Sequence, residues 1–147
     1  MAYDYNLELD TDRSPSEILS ILLRGDRFRK ARGQDALEGT GLRVTAWRVT
    51  DKYDVELTES VYGFTPKINV TFSQAKEGPD GASLEDMLAS VVRLLDVVDG
   101  DAALESESPE VVLHRGKGQI AVNANWEGHE LLVRLAPGCQ VKAFDKL

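Results

Sequence analysis

The chain has 147 residues, 42% hydrophobic and 29% charged, with a formal net charge of −8 and one cysteine. These values fit a single globular domain that buries one core without a structural metal, and they exclude an intrachain disulfide. The acidic balance argues against general nucleic-acid binding, which needs a basic surface to neutralise phosphates.

The charge is also uneven. Glu77 to Glu110 carries ten acids against Arg93 alone, whereas Arg24 to Arg32 carries five bases and one acid. The opening MAYDYNLELD lacks the basic start and apolar run of a secretory signal, and no apolar stretch approaches membrane-spanning length. The expectation is a soluble, cytoplasmic protein without membrane insertion, whose surplus acid suits a positively charged partner.

Tyr3 to Leu9 alternates Tyr3, Tyr5, Leu7 and Leu9 with Asp4, Asn6 and Glu8, the period of a half-buried strand. Ser14-Pro15-Ser16-Glu17 then supplies an N-cap, a first-position proline and a capping-box glutamate. The helix it opens, with Ile18, Leu19, Ile21, Leu22 and Leu23 on its apolar side, fails at Arg24-Gly25. Gly25 to Gly41, rich in charge and glycine, reads as a long loop with room for one helical turn. Leu42 to Thr50 alternates as a second strand with both faces partly covered. Asp51 to Gly63 fits either a short helix or an extended run. Thr65 to Ser73 returns to strand alternation, with Pro66 at its beginning, and Lys76 to Ala82 is a loop.

Ser83 to Asp99 carries the strongest pattern. Leu84, Met87, Leu88, Val91, Val92, Leu94, Leu95 and Val98 form one stripe, with Glu85, Asp86, Ser90, Arg93 and Asp96 opposite. Ser83 is the expected N-cap and Gly100 the left-handed stop. Strands are expected at Ala102 to Ser106, Val111 to Arg115 and Gln119 to Asn123, the last two joined tightly by Gly116-Lys117-Gly118. Leu131 to Leu135 and Val141 to Phe144 read as short apolar pieces of a tail lying across the domain. The order β-α-β-β-α-β-β-β predicts an α+β domain: a mainly antiparallel sheet with two helices on one face, ferredoxin-like at its start and extended by C-terminal strands.

No constellation specifies a reaction. His114 lies inside a strand pattern, His129 in a turn, and Cys139 lacks an identifiable partner, so no nucleophile has a base in view. Asp10, Asp12 and Ser14 have the spacing of early calcium-loop ligands, but Pro15 stands where glycine is needed and Ile21 where glutamate is. Gly116-Lys117-Gly118 lacks the rest of a phosphate loop, and Arg24-Gly25-Asp26 is an adhesion tripeptide by chance. No cofactor or metal is expected. Of the two tryptophans, Trp47 is expected in the core and Trp126, in a turn-like context, partly exposed at an interface.

Tyr3 to Leu9 followed by Ser14-Pro15-Ser16-Glu17, then Tyr62-Gly63-Phe64-Thr65-Pro66 opening a strand, the long helix, and VVLHRGKGQIAVN from Val111 to Asn123 together resemble the SitI-type immunity proteins. These are partners of swarm-inhibition toxins of myxobacteria, with relatives in other bacteria. The resemblance implies a small, cytoplasmic, non-catalytic protein that binds and neutralises a cognate toxin; it supplies no functional residues. An acidic protein matches a basic toxin. The expected partner-binding residues are Glu85, Asp86, Asp96, Asp99, Asp101, Glu105 and Glu107, read as one acidic patch, with Trp126 as a separate aromatic candidate. A homo-oligomer is compatible with this reading. The alternative is a small-molecule-binding or enzymatic α+β domain.

Overall fold

The computed structural model describes residues 2–32, 35–75, 82–108 and 110–144. The long strand β1 (Ala2–Leu9) forms as its alternation predicts and lies inside the sheet, between β5 (Ile68–Ala75) and β6 (Ala102–Ser106). Its alternation sorts two environments. Tyr5, Leu7 and Leu9 are buried on one face, and Asn6 and Glu8 point to the other.

The capping box at Ser14 forms as expected: Glu17 N donates to Ser14 Oγ at 3.2 Å, and Ser14 N donates back to Glu17 Oε1 at 3.3 Å. It starts α1 (Pro15–Leu23), which buries Ile18, Leu19, Ile21 and Leu22. The segment expected as a loop contains instead β2 (Arg29–Lys30) and β3 (Ala36–Gly39), an antiparallel pair continuing into β4 (Leu42–Arg48). Two short strands extend the sheet here because Leu37 and Ala36 can be buried against it. Asp51 to Gly63, undecided in sequence, is the helix α2 (Lys52–Tyr62).

The strongest sequence pattern is α3 (Ala82–Val97). Ser83 is a buried residue within this helix rather than the residue before it, a correction to its reading as N-cap. Glu77, Asp80 and the loop through residue 81 lie outside the described residues. At the other end the helix stops short of Gly100, which has φ 102° and packs so closely on the Asp10 carbonyl that no side chain fits. The three C-terminal strands are β6, β7 (Val111–Gly116) and β8 (Gln119–Asn123). Lys117 and Gly118, both at positive φ, make the two-residue turn between the last two.

The tail corrects a further expectation. Its apolar pieces become α4 (His129–Leu135) and β9 (Gln140–Lys142), because Leu132 is buried in the core and β9 pairs in parallel with β8. The sheet order is β2-β3-β4-β5-β1-β6-β7-β8-β9, antiparallel at every other pairing. The α+β class and mostly antiparallel sheet stand, while the described residues form four helices and nine strands rather than the expected simpler order. Within that sheet β4-β5-β1-β6 retain the interleaving of a split β-α-β arrangement.

Helices α1, α3 and α4 share one face of the sheet, with a core that includes Phe72, Met87, Leu88, Leu94 and Leu104. α2 lies over the opposite face, bordering Asn6, Glu8 and Asn69. This division places the candidate site.

Candidate functional site

The opposite face has a polar floor. Thr71 Oγ1 donates to Asn6 Oδ1 at 2.7 Å, and Asn69 Nδ2 donates to Thr71 Oγ1 at 2.9 Å and to Asn6 Oδ1 at 3.3 Å. These side chains occupy one another. Beside them stand two carboxylates, Glu8 on β1 and Glu105 on β6, on the same face because Glu8 pairs in register with Ala103 and Asn6 with Glu105.

The two carboxylates have different environments. Tyr62 donates its hydroxyl to Glu105 Oε1 at 2.5 Å, and burial together with that bond raises the Tyr62 pKa. Glu8 Oε2 is buried and has no hydrogen-bond partner among the described residues. Desolvation, with smaller contributions from Glu105 and Asp54, raises the Glu8 pKa to about 7.

α2 forms the roof. Asp51 caps it by accepting from Asp54 N at 3.1 Å, and Gly63 ends it at φ 79°, a left-handed conformation suited to glycine. Thr58 is its buried residue. Its C-terminal end is anchored by Tyr62, Phe64 and His114, whose ring centroids lie 5.2 to 6.5 Å apart. Burial lowers the His114 pKa, and its Nε2 has no partner among the described residues, consistent with a packing role in this ring cluster. The remainder of α2 stands off the floor, leaving a cleft of about 560 Å³ rimmed by Trp47, Arg48, Asp54, Leu57 and Val61.

The expected partner-binding residues divide between environments. Glu85, Asp96, Asp99 and Glu107 are exposed. Asp86 is ion-paired with Arg27, which joins the basic segment to α3. Asp101 accepts from Lys117 N at 3.3 Å, and Glu107 accepts from Asp4 N at 3.3 Å. Glu105 lies beneath α2, away from the helical layer, so these residues do not make one continuous patch. The strand period separates it from α3 despite the short distance in sequence.

The two tryptophans exchange their expected places. Trp126 is 3% exposed, packs edge-on against Tyr5 at 6.1 Å and belongs to the core, so its reading as an exposed interface residue is corrected. The turn after β8 folds its ring inward against Gly128, where a side chain would collide with it. Trp47 is 46% exposed. Its register partner is Asn69, which assigns it to the polar face rather than the core side.

Sequence reading missed Glu8, Trp47, Leu57, Val61 and Tyr62 as members of a site. A usable signal was the spacing of Tyr53, Leu57 and Val61, one helical face at four-residue intervals. Chemically, the arrangement combines a buried acceptor, ionisable carboxylates and an aromatic rim, which can receive a cationic group. His129 is instead engaged locally, its Nδ1 donating to the Trp126 carbonyl at 2.8 Å. Among the described residues no group of three or more His, Cys, Asp or Glu could hold a metal ion, and no helix is long and apolar enough to cross a membrane.

A model of the SitI3-like family matches residues 3–130, a span that runs from β1 to the start of α4 and includes the whole cleft. No curated protein and no solved structure matches the chain.

Proposed function

The chain belongs to the SitI3-like family, and from that premise we propose that it is a non-catalytic immunity protein that binds a cognate bacterial toxin in the cytoplasm and neutralises it. The family match over residues 3–130 carries this reading. The net charge of −8 supports a basic toxin as the partner, with exposed Glu85, Asp96, Asp99 and Glu107 contributing to long-range attraction. The protein then acts by occupying its partner rather than by turnover.

The test is co-expression with the candidate toxins encoded by the genes that flank its own. The immunity reading requires rescue of growth and a complex that survives purification. Toxicity that persists at full expression of the folded protein, with no complex formed, would overturn it.

A second reading, a small-molecule-binding or catalytic site, draws on the Glu8 and Glu105 pair in the cleft. It predicts that Glu8→Gln abolishes the function while the surrounding surface tolerates change. The immunity reading predicts graded loss across an extended surface.

A further inference from the structure

The described residues expose seven large apolar side chains, and four of them, Trp47, Tyr53, Leu57 and Val61, lie on or beside α2. Tyr53 is 71% exposed and Leu57 51%, despite their alignment on one helical stripe. An amphipathic helix ordinarily turns such a stripe inward. Here the buried position on α2 is Thr58, and the apolar stripe stays exposed, with Leu57 and Val61 at the mouth of the cleft.

We propose that this stripe, together with Trp47, is the surface on which a basic protein partner docks, with an arginine or lysine of that partner entering the adjoining cleft to meet Glu8. The inference rests on the immunity reading and deepens it by assigning the surface and the partner's chemistry.

Charge selects the occupant. Among the described residues the cleft is bordered by Asp51, Asp54, Glu8 and Glu105 against Arg48 alone. Asn69 and Thr71 spend their donors within the floor, and among the described residues no donor reaches Glu8 Oε2, which leaves this carboxyl able to accept one from a partner. A guanidinium or ammonium brings that donor and a charge complementary to the rim. Trp47 supplies an aromatic face beside the entry, and Leu57 and Val61 supply apolar area that a protein surface can cover. An acidic or wholly apolar partner would leave the carboxylates uncompensated.

The experiment measures association and dissociation of the toxin domain against which co-expression of this chain protects, using wild type, Trp47→Ala, Leu57→Ser and Glu8→Gln proteins. Circular dichroism confirms folding of each, which the exposure of Trp47 and Leu57 favours. Docking on α2 predicts dissociation at least about tenfold faster for Trp47→Ala and Leu57→Ser, with association changed little. Glu8→Gln is expected to accelerate dissociation in the same direction at pH 8. Wild-type binding and protection with unchanged dissociation in both rim variants would overturn the docking surface alone. Failure of wild type to bind or protect would overturn the immunity reading and this inference with it. A wild-type dimer in sedimentation that Leu57→Ser dissolves would assign the stripe to a second copy and overturn the proposed occupant.

Discussion

Glu8 and Glu105 stand diagonally on neighbouring antiparallel strands of one sheet face, yet Tyr62 donates a hydrogen bond to Glu105, whereas among the described residues buried Glu8 Oε2 receives none. Desolvation is therefore the principal reason that the Glu8 pKa is raised to about 7. Between its ordinary value of 4.5 and this value the folded protein holds a proton that the unfolded chain has released. The stabilising contribution of neutral Glu8 is full below pH 4.5 and is lost as pH rises through about 7. Urea unfolding at pH 5 and pH 8 should show wild type losing on the order of 3 kcal/mol more across that interval than Glu8→Gln. Equal losses in both proteins would remove Glu8 as the source.

The buried Arg115 guanidinium on β7 ties the sheet to the end of α3. It donates to the Leu95 carbonyl at 2.6 Å, the Val98 carbonyl at 2.5 Å and the Gly100 carbonyl at 2.8 Å. The Leu95 and Val98 oxygens belong to the end of α3, where a cation is favoured and carbonyls lack intrahelical partners, and the Gly100 oxygen lies in the segment that follows. Arg115→Ala is expected to cost about 3 kcal/mol or more, and Arg115→Lys nearly as much, because an ammonium cannot reproduce the planar fork. Chemical denaturation of both variants checks this. A lysine variant as stable as wild type would assign the effect to charge alone.

α2 should open independently of the sheet because its burial is slight. Asp51→Ala removes its N-cap, and Gly63→Ala forces a side chain into φ 79°, each costing about 1 kcal/mol. Hydrogen exchange should show loss of protection in α2 while β1 and β5 remain protected. Uniform loss throughout the domain would indicate that α2 is an integral part of the cooperative core.

Attraction and docking should separate kinetically. Reversing exposed Glu85, Asp96 and Asp99 to lysine should slow association about tenfold or more at low salt, with dissociation nearly unchanged. The difference should shrink toward 0.5 M salt, where screening shortens the reach of charge to less than about 10 Å. Each exposed substitution is expected to alter stability by no more than about 0.5 kcal/mol. A salt-independent association rate would remove these acids from steering.

Local signals determined much of the chain. Ser14 and Glu17 set the start of α1 through bonds spanning three residues, and the stripe from Leu84 to Val98 determined α3 because one helical face had to be buried. The alternation of β1 showed that Leu7 and Glu8 face opposite ways. It could not show what would cover either face. Only the tertiary structure decided that, by placing α1, α3 and α4 on the sheet face that carries Leu7 and α2 over Glu8. The same nonlocal pairing exposes Trp47, buries Trp126, and brings Glu8 beside Glu105 across 97 positions of sequence. Period-two alternation assigns a side chain to a face, but burial and charge depend on which distant segment packs there.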